Sequence, residues 1–411
     1  MCQKDSYLKH LQTKVVSCSP GKCKIEQVGG DVVKSEGFYV ELEDTILFPE
    51  GGGQPCDYGM INNCSVRKVM RKAATALHFV QSSFEVGEIV ELSVDWERRF
   101  DHMQQHSAQH LITAITDKTY GYATTSWDLG KSVSFIELGA SEVQEAEVVH
   151  IEKLVNEAIR SHIPVSVHVT YVGSPLLNSV RTRGLPTDHV GDVRVVKIEG
   201  IEANMCCGTH VSNLSHLQCV KLLSAEKGKK GKTNLYFLAG DRVLAHAQKH
   251  YYFGKEITKH LKCGPDQHVA AIERSMKQLK LAQKNCMNLL RDVAILEANS
   301  FKQSFHKAVD NVLVLHRKEG TVEFMNIVAN EVSQSCEAYM FITVGDEKGQ
   351  GMFLLHGPGT FIEECGLKVA ETICGKAFTK GGRMQGKAEK LQNREEALAL
   401  IKDYIESHQI A

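Results

Sequence analysis

Residues 94–117 read VDWERRFDHMQQHSAQHLITAITD, and this stretch decides the fold of the middle of the chain. Its apolar residues recur in helical steps and are Met103, Ala108, Leu111, Ile112 and Ile115. Such spacing places these side chains on one face, so we predict a helix here. His106 and His110 lie four residues apart on that helix. Both imidazoles therefore project from the same face and can share one metal ion.

The segment 204–210, NMCCGTH, supplies the remaining donors that such an ion would need. Zinc in proteins is usually held by four nitrogen or sulfur ligands. His106 and His110 provide two, and His210 with one of Cys206 or Cys207 would complete the set. The residues alone leave the choice of thiol open. We predict one Zn²⁺ per chain.

The histidine pair does not have the pattern of a zinc peptidase. In His-Glu-x-x-His enzymes the glutamate that follows the first histidine is the general base. Ser107 stands at that position, and Ala108 and Gln109 follow it. The pattern leaves open either a hydrolytic zinc or a structural one, since four protein ligands can close the coordination shell.

Composition indicates a globular protein with a reduced interior. The chain has 411 residues, 43% of them hydrophobic and 24% charged, with a formal net charge of −1. Its start, MCQKDSYLKHLQTK, lacks the apolar core of a signal peptide, and no later run reaches the ~18 apolar residues of a membrane span. We therefore expect a cytoplasmic protein without membrane contact, whose 13 cysteines are thiols rather than disulfides.

The patterning predicts an α/β multi-domain protein with four parts. Residues 1–95 alternate in short runs, as a small β-barrel would. Residues 96–250 form a central α+β domain with the zinc site, and residues 305–411 form a small C-terminal α/β domain. Between them, residues 251–304 carry a helical arm with an apolar seam of Val269, Ile272, Met276, Leu279, Cys286, Leu290 and Val293. This arm or the C-terminal domain would suit homodimerisation.

Four motifs together resemble the editing half of alanyl-tRNA synthetase and its free-standing AlaX relatives. They are the HxxxH pair, C-x-G-T-H at 206–210, VDWERR at 94–99 and FPEGGGQP at 48–55. The final third resembles, more weakly, the C-terminal domain of those synthetases, so the chain looks like a long-form AlaX protein. By this resemblance it would hydrolyse mischarged tRNA(Ala) in trans, without ATP.

The resemblance implies which residues form the site. The metal ligands would be His106, His110, Cys206 and His210, while Cys207 stands where relatives usually have glycine. Ser107 takes the place of a common threonine and would read the hydroxyl of a serine substrate. The full set of expected substrate contacts is Ser107, Gln109, Gly51, Gly52, Gly53 and Gln54. The glycines also suit an ordinary turn, and Gln109 also suits an exposed helix position. No catalytic side chain is identified.

Such a reaction must spare alanine while it removes serine and glycine. Exclusion by size cannot achieve this, because serine is larger than alanine and glycine is smaller. A site that hydrogen-bonds the serine hydroxyl leaves polar groups unpaired when alanine enters. We therefore expect Ser-tRNA(Ala) as the chief substrate and Gly-tRNA(Ala) as a second one, with Ala-tRNA(Ala) spared.

Two basic stretches are candidates for tRNA binding, although each also fits a solvated loop. The first, 226–234, follows a predicted strand, and the second, 376–390, lies in the C-terminal domain. The expected contacts are Lys227, Lys229, Lys230, Lys232, Lys380, Arg383 and Lys387. Two other functions remain compatible with the sequence: a zinc-stabilised nucleic-acid-binding module without catalysis, and an esterase acting on another aminoacyl-tRNA.

Overall fold

The computed structural model describes residues 1–26, 32–73, 75–175, 177, 180–181, 191–305, 311–358 and 360–409. The chain divides into two compact units, residues 1–256 and 257–411. None of the described helices combines the length and apolar character needed to cross a bilayer.

The first unit begins with an antiparallel sheet of seven described strands in the order β4-β3-β7-β1-β2-β6-β5. Their bounds are β1 His10–Glu26, β2 Val32–Leu42, β3 Gly59–Ile61, β4 Cys64–Val66, β5 Lys68–Lys72, β6 Thr75–Val80 and β7 Ile89–Val94. β1 joins the two halves, because its first residues pair with β7 and its later residues with β2. We expected a barrel, but among the described strands the order is open. β4 pairs with β3 and β5 with β6, which leaves β4 and β5 as the two edges.

The predicted helix is confirmed as α1, Trp96–Tyr120. Asp95 caps its start by accepting a hydrogen bond from the Arg98 backbone N–H at 3.2 Å. Gly121 ends it in the left-handed region, with φ of 69°. From His102 to Thr116 every side chain is buried, polar ones included. The helix therefore runs through the core of the unit, where its polar residues must find partners inside the protein.

Two further sheets surround α1. A four-stranded sheet has the order β13-β14-β9-β8, and a three-stranded sheet has the order β10-β11-β12. The bounds are β8 Thr124–Asp128, β9 Ser134–Leu138, α2 Glu145–Arg160, β10 Val165–Thr170, β11 Val193–Ile198, β12 Glu202–Met205, β13 Val220–Lys227, β14 Thr233–Ala239 and α3 Asp241–Leu261. The apolar residues predicted for α1 pack with side chains of α2 and both sheets in one core.

A buried ion pair fastens residues 48–57, which we call the glycine loop, to α1. The Phe48 backbone N–H donates to Asp57 Oδ2 at 2.7 Å, and the Asp57 N–H donates to the Phe48 carbonyl at 3.0 Å. Arg99 Nε donates to the same Asp57 oxygen at 2.9 Å, and both charged side chains are fully buried. The loop is therefore closed at its base and held to the helix that carries His106 and His110.

The second unit has a five-stranded mixed sheet in the order β15-β16-β17-β19-β18. The bounds are α4 His268–Phe305, β15 Val312–Arg317, α5 Val322–Ser333, β16 Tyr339–Gly345, β17 Gly351–His356, α6 Leu367–Thr372, β18 Gly375–Lys380, β19 Arg383–Ala388 and α7 Arg394–Gln409. One face packs on α5 and the end of α4, the other on α6 and α7. The early part of the apolar seam on α4 is exposed, with Val269 at 70% and Leu279 at 59%.

Candidate metal centre

Four side chains converge where α1 meets the segment that follows β12. His106, His110, Cys206 and His210 bring their donor atoms within 4.8 Å of one another. Cys206 Sγ lies 3.5 Å from His106 Nε2 and 3.2 Å from His210 Nε2. Zinc bonds of about 2.0–2.3 Å in a tetrahedron separate the ligands by about 3.3–3.6 Å, so these residues fit a zinc ion. Cys207 is outside this group.

Each of the three imidazoles has a neighbour at Nδ1, on the side away from the cluster. The pairs are His106 with Gln54 Oε1 at 2.9 Å, His210 with Ser107 Oγ at 3.0 Å, and His110 with Glu202 Oε2 at 3.8 Å. Outer partners of this kind orient metal-bound histidines and favour one tautomer. The arrangement directs the Nε2 atoms of His106 and His210 towards Cys206.

Burial sets the protonation of the metal-free cluster. Desolvation, with a smaller contribution from the Cys207 thiol, raises the pKa of Cys206 to about 12. Desolvation also lowers the pKa values of His106 and His210 well below the usual range. At neutral pH these groups are therefore uncharged without a metal, and a thiol proton must leave when Cys206 becomes a ligand.

Two glycines allow close packing at and beside the cluster. A Cβ atom on Gly208 would lie 2.3 Å from His106 Cε1 and 2.7 Å from Gln54 Oε1. A Cβ on Gly53 would lie 2.6 Å from the Trp127 ring, whose centroid is 4.9 Å from that of His106. A side chain at Gly208 would displace His106, and one at Gly53 would displace the Trp127 ring beside it.

A cavity of about 760 Å³ opens beside the cluster. Its walls include the ligands His106, His110 and Cys206. The N-terminal residues, the glycine loop, α1, β8 and β11 supply further parts of the wall, together with residues of β2, β5, β6 and β12. The cluster is thus accessible to a ligand on one side and enclosed by protein on the other.

Comparison with known proteins places the chain in a family. Residues 193–236 match the family described as the threonyl and alanyl tRNA synthetase second additional domain. Over 405 residues the chain is 52% identical to the mouse alanyl-tRNA editing protein Aarsd1, with 98% of each chain covered. It belongs to the AlaX-type alanyl-tRNA editing proteins. The yeast putative alanyl-tRNA editing protein alaX is 30% identical over 458 residues, covering 100% of this chain and 96% of the yeast one. The Pyrococcus horikoshii protein AlaX-L is 30% identical over 249 residues, 59% of this chain and 58% of its own.

The substrate contacts that the AlaX resemblance implies fall into three groups. Gly51, Gly52 and Gln109 line the cavity. Ser107 and Gln54 lie behind the ligands, at 1% and 0% exposure. Gly53 packs against Trp127 and is not among the lining residues.

Ser107 has a different environment from the one we expected. Its Oγ accepts a hydrogen bond from the Val211 N–H at 3.1 Å and pairs with His210 Nδ1 at 3.0 Å. With two contacts supplied by the protein and almost no exposed surface, the Ser107 hydroxyl is placed to orient His210.

Gln109 is buried, not an exposed helix residue. Its Nε2 donates to Thr113 Oγ1 at 2.9 Å, and Thr113 in turn bonds Thr124 at 2.9 Å. Its Oε1 has no hydrogen-bond partner among the described residues. Gln109 lines the cavity, and its amide oxygen lies beneath the cavity wall as a buried acceptor without a donor.

The predicted tRNA contacts differ in exposure. Lys227 at the end of β13 and Lys229 and Lys230 in the turn that follows are exposed, as phosphate contacts should be. Lys232 instead pairs with Glu137 at 2.6 Å, because the strand pairing of β14 with β9 brings the two together.

The C-terminal basic residues lie on the β18–β19 hairpin. Lys380 and Lys387 are exposed, and half-buried Arg383 donates to Asn330 Oδ1. Gly381 and Gly382 make the turn, with φ of 58° and 71°.

Sequence reasoning missed Glu202, Arg194 and Trp127. Glu202 precedes Cys206 by four residues, an even spacing that puts both on one side of an extended segment. Arg194 on β11 donates to the carbonyls of Cys206 and Gly208 at 2.8 and 2.7 Å, and so holds the ligand segment in place. Strand pairing across the sheet creates this contact, and no local motif signals it.

Proposed function

We propose that this AlaX-type protein is an aminoacyl-tRNA deacylase that acts in trans on mischarged tRNA(Ala). The observation that carries the proposal is the His₃Cys cluster at the wall of a cavity of about 760 Å³. End-to-end similarity to proteins named for alanyl-tRNA editing supports it. Cavities of roughly 300–1,000 Å³ enclose ligands of drug-like size, a class that includes an aminoacylated nucleoside.

His106, His110, Cys206 and His210 would hold the zinc. When bound, the ion supplies electrostatic polarisation at the ester or an anchor for the amino group. The chain's own contribution is positioning, which suffices for an activated ester that needs no strong covalent nucleophile. Because ester hydrolysis is downhill, the reaction needs no ATP.

Gln109 is the residue that we propose reads the amino-acid side chain. A serine hydroxyl that reached Oε1 from the cavity would supply the donor that this buried oxygen lacks, while the Thr113–Thr124 pair holds the other end of the amide. Alanine would occupy the same space and leave that oxygen desolvated and unpaired, at a cost of about 1–3 kcal/mol. Serine is then the chief target, glycine a smaller second one, and alanine is spared.

The remaining parts of the chain would handle the tRNA. We assign residues 1–95 and 96–250 to the editing site, 251–304 to a helical arm, and 305–411 to tRNA binding. Lys227, Lys229, Lys230 and the hairpin residues Lys380, Arg383 and Lys387 would contact phosphates. The exposed seam of the arm supports dimerisation. Since tRNA charging takes place there, the cytoplasm is the proposed site of action.

The test is deacylation of Ser-tRNA(Ala), Gly-tRNA(Ala) and Ala-tRNA(Ala) by wild type, Cys206→Ala and the matched control Cys207→Ala. Zinc content and folding are measured for each protein. We expect loss of serine but not alanine, abolished by Cys206→Ala and retained by Cys207→Ala. No hydrolysis by folded, zinc-loaded wild type would favour the non-catalytic binding module. Hydrolysis of other aminoacyl-tRNAs in its place would favour a different esterase.

Gln109 is tested separately with Gln109→Leu, which keeps the approximate volume and removes the amide. We expect the ratio of serine to glycine hydrolysis to fall about 10-fold or more, because one hydrogen bond to the hydroxyl is lost. An unchanged ratio in a folded, zinc-loaded variant would refute the assignment.

A further inference from the structure

Gln54, at the tip of the glycine loop, makes three hydrogen bonds and has no exposed surface. Its Oε1 is 2.9 Å from His106 Nδ1 and 3.0 Å from the Thr209 backbone N–H. Its Nε2 donates to Thr209 Oγ1 at 2.8 Å. Both ends of the amide bond to protein and none of the side chain is exposed, so it is not accessible to a substrate.

These contacts determine which nitrogen of His106 carries the proton. A backbone N–H can only donate, so the Gln54 atom that faces Thr209 must be the oxygen. The same oxygen faces His106 Nδ1, which must therefore be the protonated nitrogen. Nε2 keeps its lone pair and points towards Cys206 Sγ, 3.5 Å away.

Gln54 also connects three separate parts of the site. It extends from the glycine loop, which the Asp57–Arg99 pair fastens to α1. It bonds to His106, which is the metal ligand on α1. It also bonds to Thr209, which lies in the ligand segment 206–210. A Cβ on Gly208 would come within 2.7 Å of Gln54 Oε1, so the glycine loop and the segment 206–210 pack too closely for a side chain at Gly208.

We propose that Gln54 is a positioning residue for the metal: it fixes His106 as the Nδ1–H tautomer and joins the glycine loop to the ligand segment. This assignment replaces the substrate contact expected from the sequence. It rests on the metal centre of the proposed function but not on the deacylation itself. Outer partners of metal-bound histidines change metal affinity about 10- to 100-fold when removed.

The experiment compares the zinc affinity of full-length wild type, Gln54→Met and Gln54→Glu by competition with a chromophoric chelator. Methionine keeps the length and removes both polar atoms, whereas glutamate keeps an acceptor oxygen. We expect Gln54→Met to lose about 10- to 100-fold in zinc affinity and to alter the visible spectrum of the Co²⁺-substituted protein. Gln54→Glu should restore both. Circular dichroism and thermal melting at saturating zinc check that the variants fold.

A second measurement does not depend on a variant that folds. Nitrogen-15 spectra of histidine-labelled, zinc-loaded wild type should show His106 with a proton on Nδ1. Zinc affinity of folded Gln54→Met equal to wild type, equal losses in Gln54→Met and Gln54→Glu, or metal on His106 Nδ1 would each overturn the inference. The expected zinc pattern in a wild type that hydrolyses no aminoacyl-tRNA would support the inference and refute the proposed activity.

Discussion

A single methyl group at Gly208 should damage the metal centre. In Gly208→Ala the new Cβ would lie 2.3 Å from His106 Cε1 and 2.4 Å from its Nδ1, where ordinary contacts begin near 3.4 Å. Either the ring or the segment 206–210 must therefore move by roughly 1 Å. Metal sites tolerate displacements of only about 0.5 Å in their ligands.

Two costs follow from that displacement. Overpacking a buried site costs about 1–3 kcal/mol of folding free energy. Disturbing both His106 and its Gln54 partner should weaken zinc binding at least about 10-fold. The matched control is Gly254→Ala on α3, where a methyl group meets nothing within 4 Å. An alanine in a helix is favoured by up to about 1 kcal/mol over glycine, so this control should be neutral or stabilising.

The assay measures urea unfolding with and without zinc, chelator competition, and deacylation of Ser-tRNA(Ala), on both variants and wild type. We expect Gly208→Ala to lose zinc affinity and activity together, while Gly254→Ala retains both. If Gly208→Ala bound zinc and hydrolysed ester like wild type, the close packing of His106 against Gly208 would not constrain the centre.

Three further predictions concern protons and a buried ion pair. Zinc binding at pH 7 should release about one proton, and affinity should rise about 10-fold per pH unit, since burial raises the pKa of the Cys206 thiol to about 12. Calorimetry in buffers of different ionisation enthalpy measures this, and Cys206→Ala should release none. Burial lowers the pKa of His78 to about 4, so the folded state disfavours its charged form. The contribution of neutral His78 to stability should therefore be complete above about pH 6.5 and fall by about 3 kcal/mol between pH 6.5 and 4, a slope that His78→Gln should reduce in urea titrations. Finally, Arg99→Met should cost about 3–5 kcal/mol in urea unfolding, because it leaves the Asp57 carboxylate buried and unpaired, and adding Asp57→Asn should recover part of the loss.

Each of these expectations has a clear contrary result. Zinc binding without proton release would argue against thiolate ligation by Cys206. An unchanged pH slope in His78→Gln would assign the acid sensitivity to other groups. An Arg99→Met loss below about 1 kcal/mol would show that the ion pair contributes little to folding.

Local patterns account for much of what could be predicted. The 3.6-residue period of apolar side chains indicated α1, because a helix face is defined by residues three and four apart. The same geometry paired His106 with His110. The alternation of residues 1–95 indicated strands but suggested a closed barrel, whereas the described strands form an open order. Strand pairing is made between distant residues, so alternation alone does not reveal whether a sheet closes.

The sequence by itself determined that His106, His110, His210 and one of two adjacent thiols could bind one metal ion, because these donors stand at short spacings in HSAQH and CCGTH. The fold brings Cys206, and not Cys207, into that group. Only the tertiary structure decided what surrounds those donors. It turned Ser107 and Gln54 inward against His210 and His106, and it paired Lys232 with Glu137, 95 residues away. The physical reason is that a polar side chain's role depends on which groups remain unpaired when the chain packs. Those neighbours come from other strands and helices, which no local spacing encodes.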